Sequence, residues 1–150
     1  VQTCALPIGQ VNDLHKRELL NALSQMGKMS VHVIQRYYND DRTEIKFPYF
    51  GTNGMVFNIE TQQMQIKSDV MLLQYRGKKK SLLNTLNEEL LLEPKHTLSL
   101  EKYDSGRYKD NIYCTSTYDY YKDGYVTKES ILDMIAEHEK VVKKVNELIN

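Results

Sequence analysis

The stretch TKESILDMIAEHEKVVKKVNELI, residues 127–149, decides the fold. Ile131, Met134, Ile135, His138, Val141, Val142, Val145, Leu148 and Ile149 recur at intervals of three and four, which puts them on one stripe of a long helix. Thr127 stands where an N-cap would, and Asp123-Gly124 just before it reads as a turn. So wide an apolar stripe needs a sheet or another helix to cover it.

Working back from that helix, the chain supplies the sheet. Asn111 to Tyr121 and Thr97 to Tyr103 read as two strands joined by the turn-rich Asp104-Ser105-Gly106-Arg107. Before them, Ser81 is placed to cap a helix through Leu82, Leu83, Leu86, Leu90 and Leu91, which Pro94 stops. Further back a two-residue period takes over. In Thr43 to Phe50, Ile45, Phe47 and Tyr49 alternate with Glu44, Lys46 and Pro48; Pro48 has no N–H to give a ladder, so this strand sits at an edge or ends there. After the turn Gly51 to Gly54, Met55, Phe57 and Ile59 alternate with Val56, Asn58 and Glu60, and Met64, Ile66, Ser68, Val70 and Leu72 continue the period. Val31 to Tyr38, rich in β-branched and aromatic residues, reads as one more strand, followed by the polar turn Asn39 to Arg42. Val11, Leu14, Leu19, Leu20, Leu23 and Met26 mark a first helix, with Gly27 as its C-cap. The order is α, three or four β, α, two β, α: one α+β domain with an antiparallel sheet covered by helices, and no internal repeat.

Composition bounds the function classes. The 150 residues carry 20 Lys+Arg against 20 Asp+Glu, a balance that argues against a generic polyanion binder. At this length roughly 68–70% of the unfolded chain's surface is buried on folding, enough for a core without disulfides or a structural metal. No apolar run approaches the ~20 residues of a membrane span, and no basic stretch leads into an apolar run at the start, so a cytoplasmic protein is expected. Val1-Gln2-Thr3-Cys4-Ala5-Leu6-Pro7-Ile8 reads as a translated sequencing-library adapter, and residues 1–8 are expected to lie outside a fold formed by residues 9–150. Setting Cys4 aside leaves Cys114 alone, which excludes an internal disulfide and favours a reducing compartment.

The segment Leu83-Asn84-Thr85-Leu86-Asn87 resembles the LN-x-LN signature in the middle helix of YbjN-like proteins, which have the type III secretion chaperone-like fold. In that family the motif is followed by a strand, a turn, a second strand and a closing helix, an order matched here by Leu98 to Leu100, Asp104 to Asp110, Ile112 to Tyr121 and Ile131 to Ile149. The resemblance implies a non-enzymatic module that binds protein partners, with no catalytic residues to carry over. Read by spacing alone, Asn84 and Asn87 simply sit on the polar face of their helix.

Several clusters carry residue types capable of chemistry. Asp119 to Ser130 is similar to a calcium-binding EF-hand loop, with Asp119, Asp123, Gly124 and Thr127 at loop positions one, five, six and nine. Tyr121 and Ser130 stand where two carboxylates are needed, and the entering segment alternates like a strand, so a plain turn before a capped helix is the stronger reading. His15, His32, His96 and His138 share no ligand spacing with one another or with Cys114, so no metal or cofactor site is expected. His138, on the apolar stripe, reads as a hydrogen-bonded core residue. Arg76, Lys78, Lys79 and Lys80 form a solvated loop that could touch phosphate or, with tyrosines as stacking platforms, single-stranded nucleic acid. Seven of the eleven tyrosines, Tyr103, Tyr108, Tyr113, Tyr118, Tyr120, Tyr121 and Tyr125, crowd into the last hairpin and its flanks. Tyr113 and Tyr121 face opposite to Tyr118 and Tyr120, and these four are expected to contribute to a partner-binding patch. Together these readings favour a protein- or peptide-binding module, possible as a homodimer, over a nucleic-acid binder or an enzyme.

Overall fold

The alternation read from the sequence becomes one five-stranded sheet with every long helix on the same side, in a computed structural model that describes residues 8–48, 54–70, 77–102 and 111–149 and side chains from residue 13. Helix α1 spans Ile8–Gly27, a one-turn helix α2 spans Val31–Ile34 and a 3-10 turn follows at Gln35–Tyr37. Strands β1 (Glu44–Phe47), β2 (Met55–Asn58) and β3 (Gln63–Asp69) lead to α3 (Lys79–Leu90), then β4 (His96–Glu101), β5 (Asn111–Asp119) and α4 (Lys128–Ile149). The α+β class and its antiparallel sheet covered by helices are therefore as expected. Residues 1–7, Tyr49, Gly51 to Asn53, Leu72, Arg76, Tyr103, Tyr108 and the turn Asp104 to Arg107 lie outside the described residues; α1 begins at Ile8.

The strands pair in the order β1-β2-β3-β5-β4, all antiparallel. Strand β1 is an edge, where Pro48 belongs. The register keeps the apolar phase on one side: Ile45 pairs with Phe57, Phe57 with Met64, and Met64 with Tyr118. A slip of one residue would turn every one of these side chains to the other face.

Beneath the helices the core falls into two apolar clusters. Leu19, Leu20 and Leu23 of α1 and Ile131 and Ile135 of α4 pack on Ile45, Met55, Phe57, Met64 and Ile66. Leu86 of α3 and Val145 of α4 pack on Val70, Leu98, Ile112 and Cys114. Fully burying one such side chain contributes roughly 1.5–3 kcal/mol, so the wide stripe of α4, which enters both clusters, is the main tie between them.

Two local readings are corrected. Val31 to Tyr37 is helical, not a strand, and only Tyr38 is extended, bridging Ile45: the Ser30 side chain accepts from the Val33 N–H at 3.3 Å and its carbonyl from the N–H groups of Val33 and Ile34. Val31, Ile34 and Tyr37 reach the core at helical spacing, and that burial outweighs their β propensity. Ser81 is not the N-cap of α3; that place falls to Lys78, and Ser81 lies within the first turn. The helix also ends at Leu90, before Pro94, through Leu91 in the left-handed region at φ 44°, ψ 53°.

Leu91 is 82% exposed, so its side chain contributes little packing while its backbone carries left-handed strain of roughly 1–2 kcal/mol. Leu91→Gly should raise stability by about 0.5–1 kcal/mol after the added freedom of the unfolded chain is subtracted. A lowered Tm in calorimetry would contradict this.

Candidate functional site

Between the two apolar clusters runs a row of polar residues on the helix-facing side of the sheet. Ser68 of β3, Ser116 of β5 and His96 of β4 occupy inward positions of the alternation, and His138 of α4 drops onto them. His96 and Ser116 are paired directly across the ladder. Ser116 and His138 are fully buried. His138 Nε2 is 2.7 Å from Ser68 Oγ, and His138 Nδ1 is 2.6 Å from Ser116 Oγ. Ser116 Oγ is also 2.6 Å from His96 Nδ1, and His96 Nε2 is 3.1 Å from Glu137 Oε1.

One ordering of protons satisfies every atom. The Glu137 carboxylate only accepts, so His96 Nε2–H donates to it and His96 Nδ1 accepts from the Ser116 hydroxyl. Ser116 Oγ then accepts from His138 Nδ1–H, and His138 Nε2 accepts from the Ser68 hydroxyl. At its outer end Glu137 meets Lys95 Nζ at 2.7 Å and the Tyr118 hydroxyl at 3.3 Å. The Lys95 hydrogen bond holds the Glu137 carboxyl below the usual carboxylate range, so the chain ends on a charged acceptor.

Burial, and secondarily the neighbouring His96, pushes the His138 imidazole down to about 4 from its ordinary 6.5. His138 is therefore neutral at pH 7. Burial likewise raises the Cys114 thiol to about 11, which makes it an inert core residue. Tyr118 is raised by burial first and then by the Glu137 charge.

Serine, imidazole and carboxylate in line have the order of a hydrolytic triad. Ser116 Oγ, however, is enclosed and already engaged by two imidazole nitrogens. A carbonyl carbon has no approach to it, so the arrangement ties elements together and presents no nucleophile.

Among the described residues no helix packs on the opposite face of the sheet. Lys46, Val56, Gln65, Lys67, Thr97, Ser99, Glu101, Tyr113 and Thr115 line a broad concavity of about 930 Å³. Lys67 is ion-paired with Glu101 and lies over the Tyr113 ring at 4.5 Å from its centroid.

The tyrosines expected to form an exposed patch are mostly buried. Tyr113 is 6% exposed, Tyr118 9% and Tyr120 2%. Tyr118 and Tyr120 belong to the core beneath the helices, and the Tyr120 hydroxyl donates to the Asn58 carbonyl at 3.3 Å. Tyr121 is half-buried, stacked on His15 at 3.6 Å, with its hydroxyl donating to the Gly124 carbonyl at 2.6 Å. Tyr125 alone of the described tyrosines in this region is exposed. The stacking platforms of a single-stranded nucleic-acid site are thus not presented by Tyr118 and Tyr120. In the LN-x-LN segment Leu86 is buried and Leu83 half-buried in the second cluster, while Asn84 and Asn87 are exposed.

The calcium-loop alternative is corrected as well. The entering element is strand β5, and Lys122 to Tyr125 close a two-residue hairpin by reciprocal 3.3 Å hydrogen bonds. Asp123 at φ 57° and Gly124 at φ 84° give the type I′ turn that an Asp-Gly pair favours. Thr127 caps α4 as expected, its Oγ1 accepting from the Ser130 N–H at 3.0 Å while Ser130 Oγ accepts from the Thr127 N–H at 3.0 Å. Among the described residues no three acidic, His or Cys side chains gather to hold a metal ion.

Sequence reasoning read His138 correctly as a hydrogen-bonded core residue but missed its partners. The available signal was phase: Ser68, His96 and Ser116 all fall at inward positions of alternating strands, where a polar side chain must find another. No family model matches this chain. No curated protein matches it. Among solved structures it is similar to YbjN from E. coli, with a TM-score of 0.45 and 11% sequence identity, over 86% of this chain and 87% of that one.

Ser116→Ala removes the one oxygen that both imidazoles share and leaves a buried N–H and a buried ring nitrogen unpaired. The expected cost is about 2–3 kcal/mol in denaturant unfolding. A cost below about 0.5 kcal/mol would show that Ser116 does not hold the chain together.

Proposed function

We propose that this chain is a non-enzymatic protein-interaction module that binds a peptide or protein segment on the open face of its sheet. The observation that carries the reading is the one-sidedness of the sheet. Every long helix packs on the face of Ile45, Phe57, Met64 and Cys114, and the other face of the same strands keeps its concavity. That concavity mixes an apolar floor at Val56 with hydroxyls at Thr97, Ser99 and Thr115 and charges at Lys46, Lys67 and Glu101. Such a lining suits an extended segment, whose side chains alternate between floor and solvent. The tyrosine-hairpin surface gives way in this reading to the sheet face, because Tyr118 and Tyr120 are committed to the core.

The non-enzymatic part is supported by the triad-like line Ser116, His96 and Glu137 being closed where it matters: Ser116 is fully buried, His96 is buried, and both are fully bonded. A cytoplasmic setting suits the buried free thiol of Cys114. Among the described residues no helix is long and apolar enough to cross a membrane.

Val56→Glu with Thr115→Glu places two charges on the concavity without touching the core face. A partner retained by the immobilised wild-type chain should bind at least tenfold more weakly to this double variant, with little change in Tm, and should still bind Lys140→Glu on the outer side of α4. Full retention by the double variant would remove the sheet face from the interaction.

A further inference from the structure

We propose that the hydrogen-bonded chain Ser68–His138–Ser116–His96, buried throughout and ending on the half-exposed Glu137, is an acid-sensitive latch, which clamps α4 to β3 and β5 while it holds no more than one extra proton and releases the helix when it takes up a second. This does not rest on the interaction reading.

With both imidazoles neutral, every hydrogen bond points toward Glu137. A first proton enters at His96, whose Nε2 already faces the Glu137 carboxylate at 3.1 Å. His96 Nδ1 then becomes a donor to Ser116 Oγ. The Ser116 hydroxyl turns to donate to His138 Nδ1, the proton of His138 moves to Nε2, and Nε2–H donates to Ser68 Oγ. The inner bonds have reversed direction and none has been lost. A second proton has no such accommodation. Both His96 and His138 would donate through Nδ1 to one oxygen, 2.6 Å from each, and the Ser116 hydroxyl proton would have no ring nitrogen left to accept it. Two cationic rings would then flank a fully buried hydroxyl.

Among the described residues the surroundings offer His138 no counter-charge. On β5, Cys114 and Tyr118 are both held neutral by burial. On β3, Lys67 and Asp69 belong to the open side of the sheet. On α1, Glu18 acts on Tyr121. On α3, Lys80, Glu88 and Glu89 are exposed and Lys79 is half-buried in the first turn. On α4 itself Glu139 and Lys140 are exposed, and Glu137 is engaged by Lys95, His96 and Tyr118. The charge that acts on His138 is His96, and it repels. The lowered value of about 4 for His138 agrees with this geometry. The sign follows: the unfolded chain binds a proton at His138 below pH 6.5 that the folded chain refuses, so stability present above that pH is lost as the pH falls toward 4.

The test is a titration of the full chain with nitrogen-15-labelled imidazoles, followed by NMR from pH 7.5 to 4. The expected result is that the His138 tautomer moves from Nδ1–H to Nε2–H with the same midpoint as the charging of His96, while the fold persists, and that charging of His138 coincides with loss of amide protection in α4. A His138 ring that becomes cationic with α4 still protected would overturn the latch, as would an unchanged tautomer through the charging of His96. A second measurement uses His138→Leu. Between pH 6.5 and 4.5 the wild-type unfolding constant should rise by up to about a hundredfold more than that of the variant, tenfold per pH unit for one refused proton. Equal pH dependence in both would overturn the proposal, and if the variant does not fold the wild-type titration decides.

Discussion

The rest of the structure depends on a single constraint: α4 must bring His138 down between Ser68 and Ser116. Those three side chains lie where the helix crosses the sheet, with an apolar cluster on either side of the crossing. The apolar stripe of α4 would tolerate small shifts along or around its axis, because apolar burial is non-directional. The hydrogen bonds are not so tolerant. At 2.6–2.7 Å, with each partner already assigned donor or acceptor, they select one depth and one rotation of α4 over β3 and β5. An apolar triad of the same volume could be equally stable, since net hydrogen-bond contributions are only about 1 kcal/mol each. What the polar row adds is a penalty on every wrong arrangement, because a misplaced α4 leaves an imidazole unpaired in the core.

The same row constrains the strands. Ser116 pairs with His96 on one side and with Ile66 on the other, and Ser68 pairs with Cys114. Moving β5 by one residue would carry Ser116 to the open face and deliver Thr115 or Thr117 inward, breaking the chain at its centre. Moving it by two keeps the phase but replaces Ser116 with Cys114 or Tyr118, neither of which can serve two imidazole nitrogens at once. The polar row thus sets β5 against β4 and β3, and through β3 it sets β2 and β1, whose inward-facing pairs are apolar.

How much of this was legible in the sequence varies with the range of the interaction. The α4 stripe, the alternation of β1 to β3 and the edge position implied by Pro48 are properties of single segments, and periodicity exposes them. The segment Val31 to Tyr38 misled because composition spoke louder than spacing: Val31, Ile34 and Tyr37 are three apart, but β-branched and aromatic residues suggest strands. The tyrosines misled for a related reason. Alternation shows which side chains share a face, but not which face is covered, and Tyr118 and Tyr120 proved to be on the covered one. The candidate site was the least legible part. Ser68, His96, Ser116 and His138 are spread over 70 residues, and only the non-consecutive neighbours β3-β5-β4 bring them into one row.

The one-sided packing also shapes what a partner would meet. Strand β1 is an edge of four residues carrying Lys46 and followed by Pro48, a combination that discourages open-ended pairing with another chain. The open face is not a second hydrophobic core in waiting: Gln65, Lys67, Thr97, Ser99 and Thr115 keep it wet, and the Lys67–Glu101 pair already satisfies its central charges. A purely apolar partner helix would have to desolvate these groups without replacing their hydrogen bonds, at a cost that its own burial would struggle to offset. A segment carrying polar groups can exchange water for direct contacts at little penalty. The chemistry of the face therefore favours a polar, extended partner over an amphipathic helix.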